Sequence, residues 1–169
     1  IVESFYLSFG LPVITARPFN TFGPRQTARA VIPTIACQLI ARKKKISLGA
    51  LAPTRDFNYV TDTARGMLEL ALSDNTEGEV VNIGSGEEWS ISQTFKLLSE
   101  IAEFEVEVMV EKVRIRPEKS EVDRLLADNR KIRELTNWKS AVSFRDGLTK
   151  TYHWIEKNIH LFSIDQYSK

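Results

Sequence analysis

The stretch RPFNTFGPRQ, residues 17–26, places guanidinium and amide side chains between prolines. It directly follows an apolar run at residues 12–16, which predicts a buried strand. Guanidinium and amide groups at a strand end are good hydrogen-bond donors to the oxygens of anionic groups such as phosphates. A Pro-rich turn in which Asn20 bonds its own backbone is the alternative, and the stretch alone does not decide between them.

A second arginine that could serve the same chemistry lies in PTRDFNYVTD, residues 53–62. Arg55 either contacts an anionic ligand or forms a surface ion pair with Asp56. Asp62 is placed to cap the helix that follows.

Residues for other kinds of chemistry are sparse. His153 and His160 have no cysteine or acidic neighbours at metal-ligand spacing, so we expect packing or surface roles for them. Cys37 is the single cysteine, which excludes an internal disulfide, and it is predicted to be a small core residue. Since no nucleophile constellation is present either, we assign neither a catalytic residue nor a metal site to this chain.

The segment NIGSGEEW, residues 82–89, is similar to a dinucleotide-binding fingerprint. Gly84 and Gly86 follow a predicted strand, but Trp89 stands where a third glycine would allow close helix packing. We therefore interpret the segment as an ordinary strand-to-helix turn.

Predicted strands and helices alternate along the chain, which favours an α/β fold with parallel pairing. Strands are predicted at residues 12–16, 46–48, 57–59, 80–83 and 106–110, and helices at 1–9, 30–42, 61–72, from Ser90 or Ser92 to 104, 129–135 and 144–157. Only the strands at 12–16 and 80–83 have the composition of central strands. The chain is therefore predicted to hold the closing strands of a larger parallel sheet plus a smaller lobe, and no linker marks a domain boundary.

Composition narrows the class of protein. The 169 residues carry a formal net charge of +1, which favours neither nucleic acid nor an anionic membrane as partner. No apolar run approaches the roughly 20 residues of a membrane span, and one cysteine fits a reducing compartment, so we expect a cytoplasmic protein. Because the first residue is Ile1 and not Met, we expect the chain to begin inside a longer protein.

Several segments together carry a family resemblance. In order along residues 1–155, they are GLPVITARPFNTFGPRQ, AVIPTI, ISLG, TRDFNYVTDTARGM, VVNIGSGEEWSI and RPEKSEVDRLLADNRKIRELTNW. They resemble the C-terminal half of the extended short-chain dehydrogenase/reductases, in particular the nucleotide-sugar epimerases and dehydratases. The segments ARAVIPT, TRDF and RPEKSEV are most similar to bacterial 4,6-dehydratases that act on nucleotide-linked N-acetylglucosamine. The resemblance implies that residues 1–169 form the substrate-binding portion of a Rossmann-type enzyme, as an incomplete domain without the N-terminal dinucleotide-binding part.

The resemblance also implies roles for individual residues. Asn20 would contact the diphosphate or sugar of a nucleotide-diphosphate sugar, and the backbone of Pro18 and Phe19 would lie beside the nicotinamide ring of NAD or NADP. Arg55 and Arg116 would bind phosphate. Glu121 would reach the ribose hydroxyls.

Alternatives remain open for several of these positions. Glu118 could take the role of Glu121, or that acidic segment could be a solvated loop. The main chain around Val31, Ile32 and Leu48 would recognise the base, while their side chains could belong to the core. Arg29, like Arg25, could contact phosphate or sugar, or could be solvent-exposed.

As for activity, the resemblance implies an NAD(P)-dependent 4,6-dehydratase: hydride removal at sugar carbon 4, loss of water and return of hydride. A 4-epimerase, a non-catalytic nucleotide-binding module and a merely structural α/β domain are the alternatives. The family's glycine-rich loop and its catalytic Tyr-xxx-Lys pair are expected upstream of Ile1, and neither occurs here. We therefore expect this chain alone to be inactive, and the intact enzyme to be a homodimer.

Overall fold

The computed structural model describes residues 1–114 and 122–162, and the chain folds into two compact units. The first unit comprises Ile1–Thr21, Asp56–Glu88 and Leu126–Val142; the second comprises the described residues of Phe22–Arg55, Trp89–Leu125 and Ser143–Lys169. The chain passes between the units several times, and sequence composition carries no sign of these boundaries.

The elements confirm the predicted α/β class. The helices are α1 (Val2–Phe9), α2 (Val31–Ile40), α3 (Val60–Leu72), α4 (Ile91–Ile101), α5 (Arg130–Leu135) and α6 (Phe144–Lys157). The strands are β1 (Thr15–Pro18), β2 (Asn20–Phe22), β3 (Lys45–Leu48), β4 (Thr54–Arg55), β5 (Phe57–Tyr59), β6 (Val80–Ile83), β7 (Trp89–Ser90), β8 (Glu107–Val110) and β9 (Arg124–Leu125). Short 3-10 helices lie at Lys112–Arg114 and Ile159–Leu161.

The first unit is built on the parallel pair β1 and β6, in which Thr15 lies opposite Val80 and Pro18 opposite Ile83. The first two residues of β2, Asn20 and Thr21, belong to the same unit, and β2 pairs with β5. Helices α3 and α5 supply apolar side chains to the core beside β6. The core residues are Leu70, Val81, Ile83, Ile132 and Trp138, with Ile14, Ala16 and Leu135 packed against them.

The predicted strand at residues 12–16 is wrong at both ends. Strand β1 begins at Thr15, whose N–H donates to the Glu79 carbonyl at 2.9 Å, and continues through Pro18. Pairing with β6 selects these residues because the ladder satisfies their backbone groups. The first residues of the predicted polar loop are therefore strand.

Helix α1 confirms the helix predicted at the start of the chain. It ends at Gly10, which adopts the left-handed conformation with φ 61°. None of its residues is buried, and the apolar side chains of Val2, Phe5 and Phe9 are exposed.

The second unit is held together by packing among α2, α4 and α6. Fully buried side chains on these helices include Ile32, Ile35, Leu39, Leu98, Leu148 and Ile155. Ser90 caps α4: its hydroxyl accepts from the Gln93 N–H at 3.0 Å, and the Gln93 side chain accepts from the Ser90 N–H at 2.8 Å. This confirms Ser90 over Ser92 as the cap, although α4 ends at Ile101 instead of residue 104.

Two small sheets complete the second unit. Strands β3 and β8 are parallel, and β4 lies between antiparallel β7 and parallel β9. Cys37 on α2 is buried, as predicted, and burial raises the pKa of its thiol to about 11. In residues 1–114 and 122–162, no helix combines the length and the apolar character that crossing a membrane requires.

A buried carboxylate ties the end of the first unit to α3. Asp62 Oδ2 accepts from the N–H groups of Ala141 and Val142, both at 2.9 Å, and Oδ1 accepts from Arg65 at 3.0 Å. The Trp138 indole N–H donates to the Asp62 carbonyl at 2.9 Å. Asp62 lies inside α3, whose N-cap is Tyr59, so the prediction that Asp62 caps this helix is wrong.

The surroundings of Asp62 lower the pKa of its carboxyl group. Burial alone raises the pKa of the carboxyl group, but hydrogen bonds from Val142, Arg65 and Ala141 lower it, and the result is a pKa below the ordinary value of 3.8. The ionised form is therefore favoured in the folded state.

We expect Asp62 to make stability pH-dependent on the acid side. Because its pKa is lower in the folded than in the unfolded chain, its contribution is complete above the unfolded pKa near 3.8 and is lost as the pH falls through the folded pKa. Asp62→Asn should lower the free energy of unfolding at pH 7 by about 2 kcal/mol or more and flatten its acid dependence. Denaturant titrations across acidic pH, with the exposed Asp74→Asn as control, measure both effects. Equal pH slopes for wild type and Asp62→Asn would contradict this role.

Helix α3 approaches β6 closely at Gly66. A Cβ atom there would lie 2.9 Å from Ile83 Cγ2 and 3.0 Å from Trp138 Nε1. In a free helix, alanine is better than glycine by about 1 kcal/mol. We expect the opposite sign here: Gly66→Ala should destabilise the protein by about 1 to 2 kcal/mol, because overpacking outweighs propensity.

Chemical denaturation checks this expectation, with Ala64→Gly at an exposed site of the same helix reporting propensity alone. Stabilisation by Gly66→Ala would show that the contact yields without cost.

Candidate functional site

The segment where β1 passes into β2 carries three predicted site residues of the first unit. Pro18 is exposed and ends β1, Phe19 is half-buried, and Asn20 begins β2. The Phe19 N–H donates to the Ile83 carbonyl at 2.9 Å, and its carbonyl accepts from Thr21 Oγ1 at 3.1 Å. This segment is therefore a fixed strand-to-strand connection.

Asn20 is anchored through one atom of its side chain. Its Nδ2 donates to the main-chain carbonyl of Asp56 at 3.3 Å, across 36 residues of sequence. The alternative in which Asn20 bonds its own backbone is thus wrong. Among the described residues, its Oδ1 and second Nδ2 hydrogen have no partner. The amide is half-buried at the start of β2 and has one acceptor and one donor unused.

A series of hydrogen bonds from β5 and α3 also holds the connection between β1 and β2. The Asn58 amide donates to Thr63 Oγ1 at 2.8 Å, and the hydroxyls of Thr63 and Thr21 lie 3.1 Å apart. Since Thr21 donates to the Phe19 carbonyl, its oxygen is left to accept from Thr63. The bonds therefore run in one direction and end at Phe19.

The acidic residue beside Arg55 has a different role from the one considered from sequence. The Asp56 side chain is fully buried and accepts from Ser85 N at 2.8 Å, Ser85 Oγ at 2.7 Å, Gly86 N at 2.9 Å and Ala127 N at 3.2 Å. The surface ion pair with Arg55 is therefore wrong, since donors inside the first unit use this carboxylate.

The same bonds settle the role of NIGSGEEW. The N–H groups of Ser85 and Gly86 point at a carboxylate of this chain, so they do not form a loop for the phosphates of a dinucleotide. The segment is a turn after β6, but it leads into the two-residue strand β7 before α4 begins, so the predicted strand-to-helix turn joins two strands instead. Sequence reasoning missed its tie to Asp56, although two glycines flanking a serine after a strand signal a close backbone approach.

In the second unit, Arg55 lies on β4 and is half-buried. One guanidinium nitrogen donates to the Thr54 carbonyl at 2.8 Å and to the Val122 carbonyl at 2.6 Å. Val122 precedes β9, the parallel neighbour of β4. These bonds hold the guanidinium against a strand pair instead of leaving it to move in solvent.

The other residues predicted in the second unit fall into two groups. Ile32 and Leu48 are buried, so their side chains belong to the core and only their main chain could reach a ligand. Arg29 is exposed, and Val31 is half-buried at the first position of α2. The N-cap Ala30 offers no side chain to the first amides of α2, which leaves those N–H groups without a side-chain cap.

An acidic side chain lies close to the end of β3. Hydrogen bonds from Ser47 and then Arg114, the latter at 2.6 Å, lower the pKa of Glu111. The Glu111 N–H donates to the Leu48 carbonyl at 2.8 Å. The carbonyl of Leu48 is thus engaged inside the protein.

Arg116, Glu121 and the alternative Glu118 lie outside the described residues and stay predictions. Within the described ranges, no three His, Cys, Asp or Glu side chains group as metal ligands would. For a nicotinamide, the residues present fit as an apolar wall: Pro18 is exposed, while both polar backbone groups of Phe19 already have partners.

The chain is similar in sequence to known proteins. A family model described as GDP-mannose 4,6 dehydratase matches residues 1–151. Human dTDP-D-glucose 4,6-dehydratase is 32% identical over 164 residues, which cover 94% of this chain and 46% of the relative.

Two solved structures are similar in fold. The epimerase Mth375 of Methanothermobacter thermautotrophicus superposes with a TM-score of 0.85 at 29% identity, covering 94% of this chain and 47% of that one. The UDP-glucuronic acid 4-epimerase of Bacillus cereus, in complex with UDP-glucuronic acid and NAD, gives a TM-score of 0.83 at 28% identity, covering 93% and 49%. The chain spans about half the length of the relatives it matches.

Proposed function

Because the chain belongs to the nucleotide-sugar epimerase/dehydratase family of the extended short-chain dehydrogenase/reductases, we propose that it is the nucleotide-sugar-binding half of an NAD(P)-dependent 4,6-dehydratase. Its ligand would be a nucleotide-diphosphate sugar, and the family's Tyr-xxx-Lys pair would lie outside this chain. The chain itself binds and orients the substrate and supplies no catalytic acid or base.

The side chain of Asn20 is the observation that carries this proposal. One bond to the Asp56 carbonyl fixes the amide, and its remaining donor and acceptor have no partner among the described residues. A diphosphate or a sugar hydroxyl can use these groups, because an amide both donates and accepts. An amide held in place before binding loses little conformational entropy when a ligand arrives.

The second unit supports nucleotide binding with groups of its own. The guanidinium of Arg55 carries a charge that the diphosphate needs, and it is held to the carbonyls of Thr54 and Val122. The uncapped N–H groups at the start of α2 suit a base or phosphate oxygen. We propose that Arg29, Arg116 and Glu121 also bind the ligand, through contacts to phosphate or ribose.

The proposed reaction uses a nicotinamide cofactor. NAD or NADP would accept hydride from sugar carbon 4 and later return it, at carbon 6 after loss of water in a dehydratase. Pro18 and Phe19 would form a wall beside the nicotinamide and exclude water there. The exposed Phe5 and Phe9 of α1 are compatible with a homodimer of the intact enzyme.

A 4-epimerase is the second candidate, and similarity to the Bacillus cereus UDP-glucuronic acid 4-epimerase favours it. In that case the 4-ketone turns over and hydride returns to its opposite face. Mass spectrometry of products formed by the full-length protein separates the two, since a dehydratase product lacks one water and an epimerase product is isomeric with its substrate. Nucleotide binding without any product would instead indicate a non-catalytic module.

We expect Arg55→Ala in the full-length protein to weaken binding of a nucleoside diphosphate by about 1.5 to 3 kcal/mol, the contribution of a charged hydrogen bond, and to preserve the fold. Calorimetry with UDP, GDP and dTDP measures it, and circular dichroism checks the fold. Arg145→Ala, which removes an exposed guanidinium paired with Glu100 in the same unit, is the matched control and should bind normally. An unchanged dissociation constant for Arg55→Ala would exclude the diphosphate role.

We also expect this chain alone, expressed as residues 1–169, to show no turnover of any nucleotide sugar. The sequence contains no Tyr-xxx-Lys pair to supply the proton transfer. A coupled assay against full-length protein tests this, and turnover by the purified chain would show that the acid and base lie within it.

A further inference from the structure

One of the two buried carboxylates of the first unit belongs to Asp56, a residue the proposed mechanism does not use. Its side chain is fully buried, and its four hydrogen bonds come from main-chain N–H groups and one hydroxyl. Burying an ionised carboxyl group costs free energy unless several donors replace water. Ser85, Gly86 and Ala127 supply that replacement, so this carboxylate is held in one position.

Glycines allow the turn of residues 84–86 to close around Asp56. A Cβ at Gly84 would lie 2.4 Å from Ala127 Cβ and 2.8 Å from Asp56 Oδ2. Gly86 has a φ of +79°, and a Cβ there would lie 2.8 Å from Asn129 Nδ2. On the other side, the Asn129 amide donates to the Gly84 carbonyl at 2.9 Å. The turn is thus fixed between two buried polar side chains.

The main chain of Asp56 links its buried carboxylate to Asn20, the proposed ligand-binding residue. Its carbonyl accepts the Asn20 amide at 3.3 Å, which is the single bond that orients the Asn20 side chain among the described residues. If the carboxylate were released, the Asp56 carbonyl would lose its fixed position. Asn20 would then sample more than one rotamer.

We propose that Asp56 is a positioning residue: the turn at residues 84–86 binds its carboxylate as an internal anion, and this sets the direction of the Asn20 amide. The proposal deepens the nucleotide-sugar role and rests on it for the consequence in binding. Asp56 itself touches no ligand. The glycine segment that looks like a phosphate loop therefore serves the binding site through a carboxylate of its own chain.

The experiment uses the full-length protein and the isosteric Asp56→Asn. Whichever way the new amide is turned, its NH2 group faces at least one main-chain N–H, those of Gly86 and Ala127 in one orientation and that of Ser85 in the other, which breaks the cage without changing volume. Asp74→Asn, the same change at an exposed site of the first unit, is the matched control. Ser85→Ala is a milder variant that removes one donor and keeps the backbone donors, and it replaces Asp56→Asn if that variant does not fold.

Two measurements decide. With selective ¹⁵N-asparagine labelling and no ligand, the side-chain amide signals of Asn20 should shift or broaden in Asp56→Asn and Ser85→Ala but not in Asp74→Asn. In calorimetry with UDP, GDP and dTDP, Asp56→Asn and Asn20→Ala should each weaken binding about tenfold, and the double variant should bind no more weakly than Asn20→Ala.

The outcomes separate the two proposals. Unchanged Asn20 signals in Asp56→Asn, or in Ser85→Ala where it replaces it, overturn the positioning role whether or not the protein binds nucleotides. Additive losses in the double variant overturn it as well. Failure of the wild type to bind any nucleoside diphosphate or nucleotide sugar overturns the proposed function instead, and the amide signals still test the positioning role.

Discussion

Hydrogen bonding of buried carboxylates by main-chain N–H groups is the constraint on which the first unit depends. Asp56 and Asp62 flank β5, and both are almost completely buried. Asp56 binds the turn after β6 and Ala127, while Asp62 binds the backbone of Ala141 and Val142. Each carboxylate joins stretches of chain far apart in sequence. If either bond set is incomplete, an ionised group is left in an apolar core, which makes partial assembly costly.

Local signals account for the parts of the fold that sequence predicts well. The limits of α6 and β6 agree with prediction because side-chain periodicity and Ser143 at the start of α6 are local. Strand β1 lies several residues further along the chain than predicted. The apolar composition of residues 12–16 carries no information about the pairing register with β6. Two-residue strands such as β4 and β9 cannot be predicted from sequence either, because two residues form a strand only through pairing with a neighbouring strand.

The candidate site divides along the same line. Asn20 and Arg55 are predicted as site residues because a family resemblance names their positions, and the structure adds how each side chain is held. The role of Asp56 was missed because its donors lie 29 to 71 residues away along the chain. From sequence, the adjacent Arg55 and Asp56 suggest a surface ion pair. Only the closed turn at residues 84–86 reveals a buried anion.

The interleaving of the two units has a consequence for synthesis of the protein. The core of the first unit contains Val81 and Ile83 but also Ile132 and Trp138, which lie about 50 residues later in the chain. The ribosome adds residues in order, so β1 and β6 emerge before the side chains that cover them. The first unit cannot complete its core until translation has passed Trp138. Until then the apolar face of this strand pair lacks the side chains that cover it in the folded unit.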